Sequence, residues 1–365
     1  MGEEYFFSER MNRRQFLKVT AGVLACGGCA GMPAPTPVAE PRPLSREESI
    51  AAWRDRIRAF LARRVLPIID TEATYSRSYD LQFILREMEA NGVAQIAFAP
   101  IYQKSGGSTD SLSLHERYPA FFIPTTSDGV TPDWWNHPEA FVEAITAEVL
   151  SGKYFFMGEF EFRHYPSPIQ YWSGKMHRDI TVSLNHPAAH KLFSFSQDSG
   201  TAFMIHYEIE DVLLPPLEAM LARYPGARVI WCHLGQVRYS RRARHYGPSY
   251  VRSLIAKFPN LYFDLGLGGP GNVYPGSYER DQTIYEFTGI PPYRGRLKPE
   301  WQTTLEDFPE RFLAATDIGP DRFRWFPDCI RRLRVLLLDE LSERARHLIA
   351  YQNAWRLITK GAWQL

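Results

Sequence analysis

Cysteine is scarce in this chain, with four in 365 residues. Four are too few for a disulfide scaffold, and no Cys-rich metal motif exists. Cys26 and Cys29 precede the expected folded domain, while Cys232 and Cys329 read as buried free thiols. A bias toward charge of one sign is also lacking: 42 Lys and Arg face 41 Asp and Glu, a net charge of +1. That balance gives no electrostatic reason for a nucleic-acid partner. No internal repeat is visible. The apolar stretch from Val19 to Ala30 is too short to span a bilayer as a stable helix. Hydrophobic residues (45%) and aromatics (14%) are plentiful. They suffice for a large core and exclude disorder over the bulk of the chain.

The N-terminus reads as an address. Asn12-Arg13-Arg14-Gln15-Phe16-Leu17-Lys18 resembles a twin-arginine export signal, followed by the apolar block and a Pro-rich tract from Pro33 to Pro43. We expect residues 1–30 to be the signal segment, 31–44 a linker and 45–365 a single folded domain. Val23-Leu24-Ala25-Cys26 offers a lipoprotein cleavage box with Cys26 as a lipid anchor, and cleavage between Ala30 and Ala39 is the competing choice. The expectation is an exported protein, periplasmic or membrane-anchored; an amphipathic helix retained in the cytoplasm is the bland alternative.

Past a charged helix from Ser45 to Arg64, strands and helices alternate. Apolar, β-branched runs mark strands at 65–70, 93–99, 119–123, 154–160, 202–206, 229–233, 261–266 and 313–317. Helical segments fall at 79–90, 138–150, 187–196, 214–223, 249–257 and 305–312. Eight near-continuous apolar strands with intervening helices predict an α/β fold, a (β/α)8 TIM barrel, over a doubly wound sheet. Three long connections (101–118, 161–185 and 267–300) leave strand C-termini, where barrel active sites sit.

Polar residues collect at those same strand ends. His206 closes AFMIH and His233 closes VIWCH, with Glu159 and Asp317 in equivalent places. One such His is usually a hydrogen-bonded core residue. Four polar groups at one barrel mouth would each cost about 1–3 kcal/mol if left without partners. A divalent cation resolves this, since imidazole and carboxylate together suit zinc or a similar ion. Glu159 and Glu161 point to the same side of their strand, so either can be the ligand, the other orienting an imidazole. Arg163, His164, Arg238 and Arg242 follow the fourth and sixth strands and are candidates to grip a small substrate's carboxylate or phosphate. The run from Arg241 also reads as a solvated loop. Asp264 is either near the cleft or structural, and Trp134-Trp135 either line it or staple a loop.

The segments LPIIDTEAT, FMIHYE, VIWCHLG and ERFLAATDIG resemble the amidohydrolase superfamily, over roughly Leu66 to Ala350, and in particular its branch of small carboxylate-acting hydrolases and decarboxylases. That resemblance implies a metal-dependent hydrolase in which activated water attacks a C–N or C–O bond of a small substrate. It implies a metal held by Glu159, His206 and His233, with His233 also catalytic. Asp317 would take a proton from the attacking water and return it to the leaving group. The first strand departs from the pattern: Glu72 and Thr74 stand where His-x-His is expected. One ion, Zn2+ or alternatively Mn2+, is therefore favoured over two, with Glu72 as an optional fourth ligand and Asp317 as an optional ligand of a second site. A decarboxylase or lactonase of the same superfamily is the alternative enzyme. A barrel that has lost its metal and serves as a binding protein is the alternative from another class. Oligomeric state is open.

Overall fold

Ser45 starts the first ordered helix by a reciprocal cap: its hydroxyl accepts from Glu48 N–H, and its own N–H donates to the Glu48 carboxylate at 2.8 Å. Helix α1 (Arg46–Ala62) buries Ser49, Trp53, Ile57 and Phe60, one face at three- and four-residue spacing. This computed structural model describes residues 43–100, 107–281, 283–319 and 322–364. The export signal, the Pro-rich tract and Cys26 thus lie outside the described residues.

The fold is a (β/α)8 barrel. Strand β1 (Ile68–Tyr75) pairs in parallel with β2 (Val93–Pro100). Farther round, β3 (Met157–His164), β5 (Phe203–Tyr207), β6 (Val229–Trp231), β7 (Leu261–Asp264) and β10 (Phe312–Leu313) run parallel in that spatial order. Thr71 N–H to Ala314 O (3.2 Å) and Thr74 N–H to Ile318 O (2.9 Å) join the last stave to the first. Short β4 (Ile180–Thr181) runs antiparallel beside the end of β3, and β8 (Tyr285–Phe287) with β9 (Gly295–Leu297) forms a hairpin.

Several boundaries differ from the sequence reading. The first strand runs on to Tyr75, so Asp70–Thr74 lies inside it. The third stave, expected at 119–123, survives as isolated bridges at Phe122, Thr125 and Gly129. Side chains supplement an interrupted backbone ladder there: Thr126 Oγ1 accepts from Gly158 N–H at 3.2 Å, and Asp128 Oδ1 from Glu159 N–H at 3.0 Å. Glycine is required at 158, because a Cβ would stand 2.5 Å from Asp128 Oδ1. The connection expected at 101–118 contains a helix, Ser108–Arg117, and the helix expected at 305–312 is Pro299–Asp307. Phe160, Phe162 and Trp134 pack outward on β3, both Phe rings 5.2 Å from the indole, whose N–H donates to Glu161 O at 2.8 Å. Trp134 is thus the staple and Trp135 the pocket residue. Each such buried ring contributes about 1.5–3 kcal/mol. Among the described residues no helix is long and apolar enough to cross a membrane.

Candidate metal centre and pocket

Alternation along β3 aims Glu159 and Glu161 into the barrel mouth. A register shift between Glu161 and Arg163 then reverses the pattern. His164 consequently faces the pocket and Arg163 faces away, its guanidinium spent on Asp179, Glu210 and two backbone carbonyls. Arg163 is therefore corrected from a substrate-gripping residue to a structural one. Arg242 likewise lies off the pocket, donating to the Tyr165 hydroxyl at 2.7 Å.

His206 lies within β5, while His233 follows β6 on a backbone with φ +57°. Non-glycine residues in that region cost about 1–3 kcal/mol and persist only when held. Asp264 Oδ1 does the holding, accepting from His233 N–H at 2.8 Å and Gly266 N–H at 3.0 Å. Three atoms then converge. His206 Nδ1 is 2.7 Å from Glu159 Oε1 and 3.0 Å from His233 Nε2, and the last edge of the triangle is 3.4 Å. Ligands around a tetrahedral divalent ion at 2.0–2.1 Å stand about 3.3 Å apart, so this triangle is of the right size. The other ring nitrogens are fixed too: His206 Nε2 lies 3.1 Å from Glu208 Oε1, and His233 Nδ1 3.0 Å from Gly266 O.

A second cluster shares His233 with Glu72 and Asp317, and a third joins Glu72, Cys232 and Asp264. Glu72 is buried, yet neither of its carboxylate oxygens has a hydrogen-bond partner. Burial, then the charges of Asp264, Glu159 and Asp317, hold its pKa well above the ordinary carboxylate range. Thr74 offers no ligand; its hydroxyl donates to Asp128. Asp317, at φ +47°, forms a two-pronged ion pair with Arg322 at 3.0 and 3.2 Å. Burial opposes charge on His206, but its bonds to Glu159 and Glu208 outweigh this and push its pKa up to about 10. Burial likewise raises the Glu161 carboxyl to about 7, against the pull of Arg178.

A cavity of about 770 Å3 opens over these groups, lined also by Trp135, His164, Arg178, Arg238, Arg322 and Arg332. Arg238 is buried and largely committed: Nε lies 2.9 Å from Glu208, and Nη1 donates to Tyr165 O and Pro166 O. Sequence reading did not assign roles to Glu208, Asp128, Arg178 and Arg322. Two-residue spacing after His206 was a usable signal for Glu208, and five-residue proximity to Asp317 was one for Arg322; Asp128 and Arg178 reach the site by tertiary folding.

The family model described as Amidohydrolase matches residues 129–359. No curated protein matches the chain. Among solved structures, 2,6-dihydroxybenzoate decarboxylase with bound 2,6-dihydroxybenzoate aligns at 11% identity, covering 81% of this chain and 100% of that one, with a TM-score of 0.50. A zinc-bound amidohydrolase from Burkholderia multivorans aligns at 13% identity over 80% and 99%, TM-score 0.45. A putative 2-pyrone-4,6-dicarboxylic acid hydrolase from Pseudomonas putida aligns at 15% over 81% and 98%, TM-score 0.47. At 11% identity, the first shows a shared fold.

Proposed function

This chain belongs to the amidohydrolase family, and we propose that it is a metal-dependent hydrolase cleaving a C–N or C–O bond of a small substrate. The observation that carries the reading is the buried triangle of Glu159 Oε1, His206 Nδ1 and His233 Nε2. Those three residues would hold one divalent ion; Glu72 lies 3.4 Å from the other nitrogen of His233, in the neighbouring cluster with Asp317. Such an ion supplies Lewis acidity and makes a nucleophile available at neutral pH.

The chain's own residues do the rest. Glu208 and Gly266 O fix the two imidazole rings, so both keep one nitrogen toward the site. Asp317 Oδ stands at the mouth to take a proton and return it to the leaving group, and Arg322 holds that carboxylate in place. Trp135 and His164 wall the pocket. A decarboxylase is the second reading: the decarboxylases this chain resembles carry Glu where Glu72 stands, but keep His where this chain has Thr74. Ester or amide turnover against carbon dioxide release separates the two.

Export by the twin-arginine route, to the periplasm or to a lipid anchor at Cys26, is proposed from residues 12–30 alone; cell fractionation of the full chain tests it. The test of the centre is elemental analysis of protein lacking residues 1–40, supplied with zinc or manganese. About one tightly held ion per chain is expected. None would overturn the reading and leave a barrel that binds a ligand without turning it over.

A further inference from the structure

One buried guanidinium touches the connections that follow β3, β5, β6 and β7. Arg238 places Nε 2.9 Å from Glu208 Oε1 and 3.1 Å from Gln236 Oε1. Its Nη1 donates to Tyr165 O at 3.0 Å and Pro166 O at 3.2 Å, and its guanidinium carbon lies 5.1 Å from the centre of the Tyr274 ring. Glu208 closes the circuit. The same Oε1 stands 3.1 Å from His206 Nε2 and accepts from Tyr165 N–H at 3.3 Å. Tyr165 is therefore held on both sides, its N–H by Glu208 and its C=O by Arg238.

Tyr165 opens the segment 165–179, from which Ile169, Gln170, Lys175 and His177 line the cavity. The far end of that segment is fastened beside the same centre. Arg178 pairs with Glu161, two residues from Glu159, and donates to Val130 O at 2.6 Å. Between these two anchors the chain faces solvent. Helix Pro168–Trp172 buries none of its residues, and every residue from 172 to 177 is exposed, Trp172 and Met176 included. A stretch with few buried contacts sits at the low-stability end of a fold, so its order depends on its anchors.

We propose that Arg238 is a positioning residue that couples occupation of the metal centre to the order of the segment 165–179, a flap at the barrel mouth. An ion shared by Glu159, His206 and His233 would replace hydrogen bonds with coordinate bonds and hold the His206 ring more firmly. Ligation at Nδ1 leaves Nε2 to carry the proton, which it donates to Glu208. Glu208 then steadies the Tyr165 N–H, and Arg238 passes the restraint on to the Tyr165 and Pro166 carbonyls. Such coupling is reciprocal: a ligand that orders the flap tightens the ion by the same factor. The proposal rests on the reading of those three residues as the metal-holding set.

The test is hydrogen exchange followed by mass spectrometry on the full chain, zinc-loaded and zinc-free, with helix α1 as the internal reference. Zinc should slow exchange across 165–179 about five-fold or more, as ordinary coupling between two sites does, and leave α1 unchanged. That protection should vanish in Arg238→Met and return in part in Arg238→Lys. Zinc affinity, read by competition with a chelator, should fall and recover in the same order. Exchange that quickens in Arg238→Met equally with and without zinc marks a bond that merely holds the loop, and overturns the coupling. Wild-type protein that binds zinc yet exchanges unchanged across 165–179 overturns it too, and this comparison stands even where Arg238→Met does not fold. Zinc content of the same samples keeps the two readings apart. A wild type that holds no zinc removes the metal centre and the coupling together, whereas zinc held without protection removes the coupling alone.

Discussion

The two ends of this barrel are built to opposite rules. At the end closed by helix α1, long side chains answer backbone carbonyls across elements. Trp53 Nε1 donates to Pro119 O at 2.7 Å, Arg56 Nε to Ala94 O at 2.9 Å, and His115 bridges Ser49 Oγ and Phe122 O, each at 2.9 Å. The amide oxygens left over there, on Gln95, Asn260 and Asn353, belong to neutral side chains whose NH2 groups are bonded. At the mouth, buried oxygens of Glu72, Glu161, Glu208 and Asp264 lack partners, and His233 and Asp317 sit on strained backbone. Each orphan costs about 1–3 kcal/mol in a closed protein. One end is finished by the chain itself except for those amide oxygens and the Arg356 and Trp363 N–H groups. The other is the incomplete end in a different sense, because its orphans are carboxylate oxygens close to His206 and His233, the donor types that suit a cation.

The largest effect that breaks this contrast is His206→Ala. Metal should be lost, and turnover of any ester or amide the wild type cleaves should fall by about 1,000-fold or more. The cooperative melt should remain, because the loss falls on the incomplete end. Unchanged metal content would remove His206 from the centre. Trp53→Ala attacks the finished end and should destabilise by about 3–5 kcal/mol in urea unfolding. Its surviving folded fraction should still bind metal with wild-type affinity, and a matching loss of affinity would show that the two ends are coupled.

Glu208→Gln sharpens the comparison at intermediate size. It weakens the bond that orients His206, so metal affinity should drop about 10- to 100-fold while the fold persists; competition with a chelator reads this out. The smallest effect is pH-dependent. Burial holds the His115 pKa below its ordinary 6.5. The unfolded chain then binds the proton more readily, so stability is full above pH 6.5 and is lost as pH falls toward the folded value. The urea midpoint should therefore decline between pH 7.5 and 5.5, and His115→Asn should flatten that part of the decline. An unchanged slope would place the titrating group elsewhere.

The amino-acid pattern alone carried the barrel, since near-continuous apolar runs separated by helical periods need a parallel sheet covered on both faces. Helices 138–150 and 214–223 were legible to the residue, each opening near a proline that suits a first turn. The third stave was legible only in part, because it runs on past 123 through polar Thr125, Thr126 and Asp128, whose side chains bond within the sheet and break the apolar run. His206 and His233 stood out as polar ends on apolar strands, and the strand period explains why Glu159 and Glu208 join them. Arg163 was misread because a bulge reverses alternation, and a bulge depends on pairing with β5 that the local sequence does not encode. Sequence by itself determined which residue types stand at the strand ends and that the barrel would gather them at one mouth. Tertiary structure alone decided which of the pocket's cations are already neutralised. Ion pairing joins Arg238, beyond the sixth strand, to Glu208, beyond the fifth, and only the closed barrel brings such pairs within reach.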